Sequence, residues 1–402
     1  MGHSHGLPPS TPRPKLAITL GVIVGIFAVL SAAGIWWLMP ANGDVPRADN
    51  PYGEDGVTLI NATVTAVEFF ECADFTLIDG MPTAKGPCAD VLADTADGEA
   101  YFQLDATRVQ AGIEIGDEIR LVRIAPPGEE PSYMFHDFQR GLPLLGIAVA
   151  FAVLAIVVAR WRGLLAIGGV AVTMLVIFGF ILPAILAGVN ALAVAIVGSS
   201  AIMIAVLYLA HGISIRTTAA LFGTLFGLAI TAVLGFWATG VSNLSGLGSE
   251  DDMVLIAIAP EVSLSGVVAA SMVIAGLGVL NDVTVTQASA VWEMRALQPN
   301  ANRLQLFVSA MRIGRDHIAS SIYTLVFAYA GSAMTVLLLI TAYDRSLVEM
   351  ATTEELGSEI VRTLVGAIGL VLAVPATTAF AALLAEPKIE LERTAQHRDA
   401  NS

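Results

Sequence analysis

The sequence predicts an α-helical polytopic membrane protein of about eight transmembrane helices, with one small β-rich extracytoplasmic domain between helices 1 and 2. Three observations carry this reading. Hydrophobic residues make up 55% of the 402 and charged residues only 14%, against roughly a quarter charged in soluble domains. The apolar residues fall in uncharged runs of about 20, the length a helix needs to cross the hydrocarbon core. The acidic excess is local: residues 41–134 hold eighteen Asp and Glu against five Lys and Arg, thirteen of the net −15 charges. Phosphate binding needs a basic face, so no nucleic-acid partner is expected.

In chain order, residues 1–15 form a cytoplasmic tail. Its His3 and His5 are too few for a metal site, and no metal or other cofactor is expected. Residues 16–38 are the first span, closed by the interfacial anchor Trp36-Trp37. The run is too long for a signal-peptide core and reads as a retained anchor. Residues 41–134 form the outer domain. Val57–Phe69 and Ala100–Leu104 are strand-like, and Gly116-Asp117 is a turn before the alternating strand Glu118–Ile124. A small barrel, OB-like or otherwise, or a sandwich follows from these. Cys72 and Cys88 form a disulfide if the domain faces an oxidising compartment, and stay as two free thiols if it does not.

Residues 141–385 form a bundle of about seven helices: 141–159, 163–186, 190–210, 217–240, one beginning near Val262, 318–341 and 360–385. Met253–Ala259 is too short to span. Pro183 and Pro375 are expected to kink their helices. Gly21-x-x-x-Gly25 and Gly223-x-x-x-Gly227 are small-residue packing motifs. Residues 386–402 are a second cytoplasmic tail. Orientation follows from the basic residues. Arg13, Lys15, Arg160, Arg162, Arg216, Arg295, Arg303, Arg312 and Arg315 fall on one side, and the short loops of the other side hold only Arg345 and Arg362. The positive-inside rule then puts both termini in the cytoplasm.

The stretch 271–317 is the richest in chemistry. Asp282 is the only charge between Val262 and Trp292, and two placements are open for it. If the helix ends near Asn281, Asp282 is interfacial and plays no special part. If the helix runs on through Val-Thr-Val-Thr, which contains no breaker, the carboxylate lies inside the membrane, where it needs water, a partner or a proton. Arg315, Asp316 and His317 stand just before the span 318–341, at its inner mouth. Arg315 is a candidate charge partner for Asp282 and His317 a candidate relay, while Gln287 and Thr284 are expected to share the polar face. Together, Asp282, Arg315, Asp316, His317 and Gln287 are the candidate proton or ion relay. The plainer reading is that Arg312 and Arg315 only anchor the cytoplasmic end. No enzyme is expected. Tyr343-Asp344 with Gly276-Leu277-Gly278 fails the aspartyl intramembrane protease pattern, because Asp282 follows Gly278 by four positions, and no Ser–His pair, metal-spaced helix or phosphate loop is present.

Several runs resemble the YibE/F family of bacterial multi-span membrane proteins: Tyr133–Arg140, Arg160–Leu164, Tyr208–Gly212 with Thr217–Gly223, Gly278–Ser289 and Gly314–Ala319. The resemblance covers most of residues 57–341. It implies a bacterial inner-membrane protein with an extracytoplasmic domain after the first helix, and no settled activity. Residues 271–325 are also similar to the membrane part of SecD/SecF in the RND superfamily. That similarity implies a proton-relay role for Asp282, although this chain has only one outer domain. The functional expectation is a secondary transporter or proton-coupled export factor. The alternative is a membrane scaffold or assembly factor that binds an envelope protein through residues 41–134. In either case the lipid bilayer is the surrounding partner.

Overall fold

The computed structural model describes residues 14–41, 43–47, 52, 56–72, 86–342 and 346–385. His3, His5, Tyr343, Asp344 and the tail from residue 386 lie outside the described residues. The chain divides into two compact units, Arg47–Val157 and Met1–Pro46 with Val158–Ser402.

The first unit contains a five-stranded antiparallel sheet of order β3-β2-β1-β4-β5. Its strands are β1 (Val57–Glu71), β2 (Pro87–Thr95), β3 (Gly98–Leu104), β4 (Glu118–Ile124) and β5 (Ser132–Phe138), with a short α2 (Ala106–Val109) between β3 and β4. β1 pairs with β4 through Val57–Thr63 and with β2 through Ala62–Glu71, and it has a register shift between Val64 and Ala66. Such a bulge bends a strand and adds twist, so one long strand serves two neighbours and the sheet curls. The curl brings the edge strands β3 and β5 together, with the Phe102 and Phe135 rings stacked at 6.3 Å. This strand order, with a helix between β3 and β4, is OB-type.

Alternation drives the barrel core. Ala89, Val91 and Ala93 of β2, Ala100, Phe102 and Leu104 of β3, and Ile119 and Leu121 of β4 are buried; on β2 and β3 their sequence neighbours are more exposed, while on β4 Val122 is buried beside Leu121. Each buried large apolar side chain contributes about 1.5–3 kcal/mol. The expected turn holds: Gly116, at φ +96°, donates its N–H to the Val64 carbonyl at 2.8 Å. β2 and β5 were not foreseen. Cys72 and Cys88 are joined as a disulfide. α3 (Gly141–Ala159) follows the barrel and buries no side chain.

The second unit is helical. α1 (Pro14–Leu38) packs on α6 (Ala191–His211). α4 (Trp161–Val176) passes through a π-helical turn (Ile177–Ile181) into α5 (Leu182–Leu186). The turn lies just ahead of Pro183, whose ring cannot continue an α-helical ladder. Then come α7 (Ile215–Val241), α8 (Glu250–Ile258), α9 (Leu264–Leu297), α10 (Arg303–Ser332), α11 (Met334–Ala342), α12 (Leu347–Ala351) and α13 (Glu354–Leu384).

Among the described residues, seven helical stretches are long and apolar enough to cross a membrane: Ile18–Leu38, Gly141–Ala159, Trp161–Leu186, Ala191–His211, Ile215–Val241, Leu264–Leu297 and Glu354–Leu384. The expected span 318–341 is not one helix. Its first part is the end of α10, which begins at Arg303, and its second part is the nine-residue α11 beyond Ala333.

The heart of this unit is the trio α7, α9 and α13, held close by glycines and threonines. A Cβ at Gly223 would collide with Thr377, and one at Gly369 with Thr231. A Cβ at Gly227 would meet Leu280 Cδ2 at 2.6 Å and Ala373 Cβ at 3.0 Å. Bare backbone here lets helices approach closely, the usual basis of association in lipid.

Candidate functional site

Helix register fixes the level of each polar residue. Thr224 Oγ1 of α7 and Thr284 Oγ1 of α9 are 2.7 Å apart. Further along, Gly227 faces Leu280 and Gly235 faces Met272. Numbers rise on α7 as they fall on α9, so the helices are antiparallel and Asp282 is level with Leu225 and Phe226. That level is about 16 Å along α7 from Ile215 and about 23 Å from Val241, at 1.5 Å per residue. α9 continues unbroken to Leu297. A helix end near Asn281, the condition for an interfacial Asp282, is therefore not met: no helix end lies near it.

Asp282 is exposed on the surface of the chain. Its backbone carbonyl accepts from Thr286 Oγ1 at 2.8 Å. Among the described residues its carboxylate makes no ion pair or hydrogen bond. Glycine and small residues flank it on the same stripe of α9, with Gly278 and Ala275 one and two turns away.

Gln287 is placed differently from the expectation. Five residues along a helix is about 140° around its axis, so Gln287 points away from the Asp282 stripe and is 1% exposed. Its Nε2 donates to the Ala310 carbonyl of α10 at 3.1 Å and to Thr378 Oγ1 of α13 at 2.7 Å. Thr378 Oγ1 in turn donates to the Val374 carbonyl at 2.7 Å. The amide orientation is fixed by this pattern, since a flipped amide would set Oε1 against a carbonyl oxygen. Among the described residues Oε1 has no partner, and neither does the buried Oδ1 of Asn281. Gln287 thus fastens α9, α10 and α13 together. Thr224, Thr377 and Thr378 complete this buried polar layer and were missed in the sequence. A threonine within an apolar helix reads as neutral there until its neighbour is known.

Arg315, Asp316 and His317 do not sit at a helix mouth. They lie in the middle of α10, which turns back antiparallel to α9 after residues 298–302. Gln287 faces both Ala310 and Gly314, where an added Cβ would meet its amide at 3.1 Å. That register puts Arg315, Asp316 and His317 within about one turn, roughly 5 Å, of the level of Asp282. Arg315 and Asp316 are exposed and His317 is half-buried. Within one chain Asp282 and Arg315 form no ion pair. α13 runs parallel to α9 and brings Pro375 to the same level. Proline has no N–H, so the Val371 carbonyl lacks its helical donor there.

Apolar helices at membrane-spanning length, closely packed and carrying charges at the level of their middles, define a polytopic helical membrane protein. More particularly, the chain belongs to the YibE/F family: the family described as YibE/F-like protein matches residues 147–387. The match runs from within α3 past the end of α13 and includes Asp282, Gln287, Arg315, Asp316 and His317. It begins after the barrel, so the resemblance expected over residues 57–146 is not part of it. No curated protein and no solved structure compared with the chain matches it, and the SecD/SecF similarity gains nothing from them.

Proposed function

We propose that this YibE/F protein is a proton-coupled secondary transporter or export factor, not an enzyme, with Asp282 as its proton site. One observation carries the reading. A carboxylate stands on a continuous helix, level with the middle of α7, with no partner among the described residues. A charged Asp at a bilayer centre costs about 2.5–3.5 kcal/mol, so protonation relieves a real penalty. Arg315 and Asp316, within a turn of its level, set the local field, and His317 is the relay toward the cytoplasm. Taking up a proton changes the charge between α9 and α10 and biases their packing between two states.

The asymmetry of the basic residues supports a reading in which both termini are cytoplasmic and residues 41–134 lie outside, in a bacterial plasma (inner) membrane. The Cys72–Cys88 disulfide fits an oxidising outer compartment. Infrared difference spectroscopy on the protein in reconstituted membranes, with Asp282→Asn as control, tests the proton site. The expected result is a protonated-carboxyl band, formed on proton uptake, that the control lacks. A spectrum identical to the control's overturns the reading.

A second reading, a scaffold that binds an envelope partner through residues 41–134, draws on the barrel. OB barrels bind ligands on the face of strands 2 and 3. Here that face carries exposed Tyr101, which donates to Asp90 at 2.6 Å, with Gln103 donating to the same carboxylate at 2.7 Å. A scaffold retains its function in Asp282→Asn, and a transporter does not.

A further inference from the structure

We propose that a cavity at the Val241 end of α7 binds the phosphodiester of a zwitterionic glycerophospholipid. The cavity holds about 730 Å³ and lies where α6 and α9 begin and α7 ends. The two starts are adjacent: a Cβ added at Gly266 would lie 3.7 Å from Ala191 Cβ. α6 has 21 residues and α9 has 34, and each brings N–H groups that precede its helical ladder. Asn190 Oδ1 accepts from the Ala193 N–H, and Ser263 Oγ from the Gly266 N–H. The N–H groups of Ala191, Leu192 and Ser265, three lining residues, donate to no described residue. α7 brings its opposite pole, but the turn that follows covers it. The carbonyls of Ala238, Thr239 and Gly240 accept from Ser242, Leu244 and Asn243. What remains is a donor-rich, electropositive site for an oxyanion.

Thr239 is an independent reason to place a ligand there. It lines the cavity, is 6% exposed, and its Oγ1 has no hydrogen-bond partner among the described residues. Elsewhere in the bundle a buried threonine returns its hydroxyl to the carbonyl four residues back, as Thr224, Thr231, Thr377 and Thr378 do. Thr239 makes no such bond. A buried hydroxyl left unpaired is costly, and a ligand oxygen that accepts from it removes the cost. Depth and rim choose the ligand. Phe236 and Val241 of the lining stand about 12 and 20 Å beyond the middle of α7, and half a hydrocarbon core is about 15 Å. The cavity therefore straddles the level where acyl chains meet phosphate. Phe236 and Trp237 offer exposed apolar surface to the chains. No Lys or Arg lines the cavity, and carboxylates stand at its rim. Glu354 accepts from the lining Ser245, and Glu261 Cβ would lie 2.9 Å from a Cβ added at Gly188. An anionic head meets these carboxylates with nothing to offset them, whereas a zwitterionic head brings its own ammonium. The inference rests neither on Asp282 nor on transport.

Native mass spectrometry of the full-length protein, titrated with phosphatidylethanolamine, tests it. One lipid should bind per chain. Diacylglycerol with the same chains, which lacks the phosphate, and phosphatidylglycerol, which lacks the ammonium, should each bind about ten-fold more weakly or worse. Gly240→Trp fills the cavity from a position where an added Cβ meets no atom within 4 Å, and it should abolish the bound lipid. Thr239→Val removes the unpaired hydroxyl at nearly constant volume. It should leave the melting temperature of the lipid-free protein unchanged or higher, and weaken binding about ten-fold, as loss of one charge-assisted hydrogen bond does. Equal binding of either comparison lipid overturns the proposal. Displacement of the lipid by inorganic phosphate at matching concentration also overturns it, because the site is then one for the free anion. Wild-type affinity in Thr239→Val overturns it whether or not Gly240→Trp folds. A lowered melting temperature in Thr239→Val does the same, since the hydroxyl then has a partner within the protein.

Discussion

Gly223 and Gly25 each belong to a Gly-x-x-x-Gly pair, and their surroundings give them opposite roles. Gly223 lies against Thr377 of α13, so an added methyl has nowhere to go. Gly25, on α1, has no atom within 4 Å of an added Cβ. Gly223→Ala should therefore destabilise the bundle by about 1–3 kcal/mol through overpacking. Gly25→Ala should be neutral or stabilise by up to about 1 kcal/mol, since Gly weakens a helix interior. Thermal melts of both variants in detergent check this, and equal shifts would remove the assigned contact. The same limit holds for the polar residues. That Asp282 is an isolated charge in an apolar run is legible in the letters. That Gln287 turns away from it, and fastens three helices instead, depends on which neighbours surround α9.

At the level of elements, the strongest patterns were readable and the weak ones were not. Val57–Glu71 and Glu118–Ile124 are β-branched and alternate, so they announce themselves. β2 alternates too, with Ala89, Val91 and Ala93 inward and Asp90 and Asp94 outward, but its inward side chains are small and its composition looks like a loop. β5 pairs with β4 and turns Tyr133 and Phe135 toward the barrel core. The disulfide ties the end of β1 to β2 across a separation of 16 residues. Replacing both cysteines with serine should cost the barrel about 3 kcal/mol in the chain-entropy account. Hydrogen exchange would read this as faster exchange in residues 61–71 and 87–95 with the bundle unchanged, whereas unaltered exchange in the strands would deny the bridge that role. α10 is the element the sequence misplaced. Its polar first half and apolar second half form one helix because α9, folding back against it, supplies Gln287 and Val283 along its length.

For the whole molecule, the proposed topology follows from residues far apart in the chain. In membranes with the native cysteines bridged, only introduced thiols react with an impermeant maleimide. Gly248→Cys should label from outside and Asn300→Cys only after permeabilisation. Labelling of Asn300→Cys in intact cells would invert the orientation and take the outward barrel with it.

By itself the sequence determined that the chain is a helical membrane protein with a β-rich insert after its first helix, and that Asp282 is the one charge between Val262 and Trp292. Those facts depend on hydrophobic length and local alternation, which a chain carries residue by residue. Tertiary structure alone decided that α9 passes Asp282 without ending, that Arg315 and His317 come to its level, and that Gln287 does not share its face. These depend on helix register, which glycine contacts and cross-helix hydrogen bonds set between residues far apart in the chain, from Gln287 and Ala310, 23 positions apart, to Gln287 and Thr378, 91 apart.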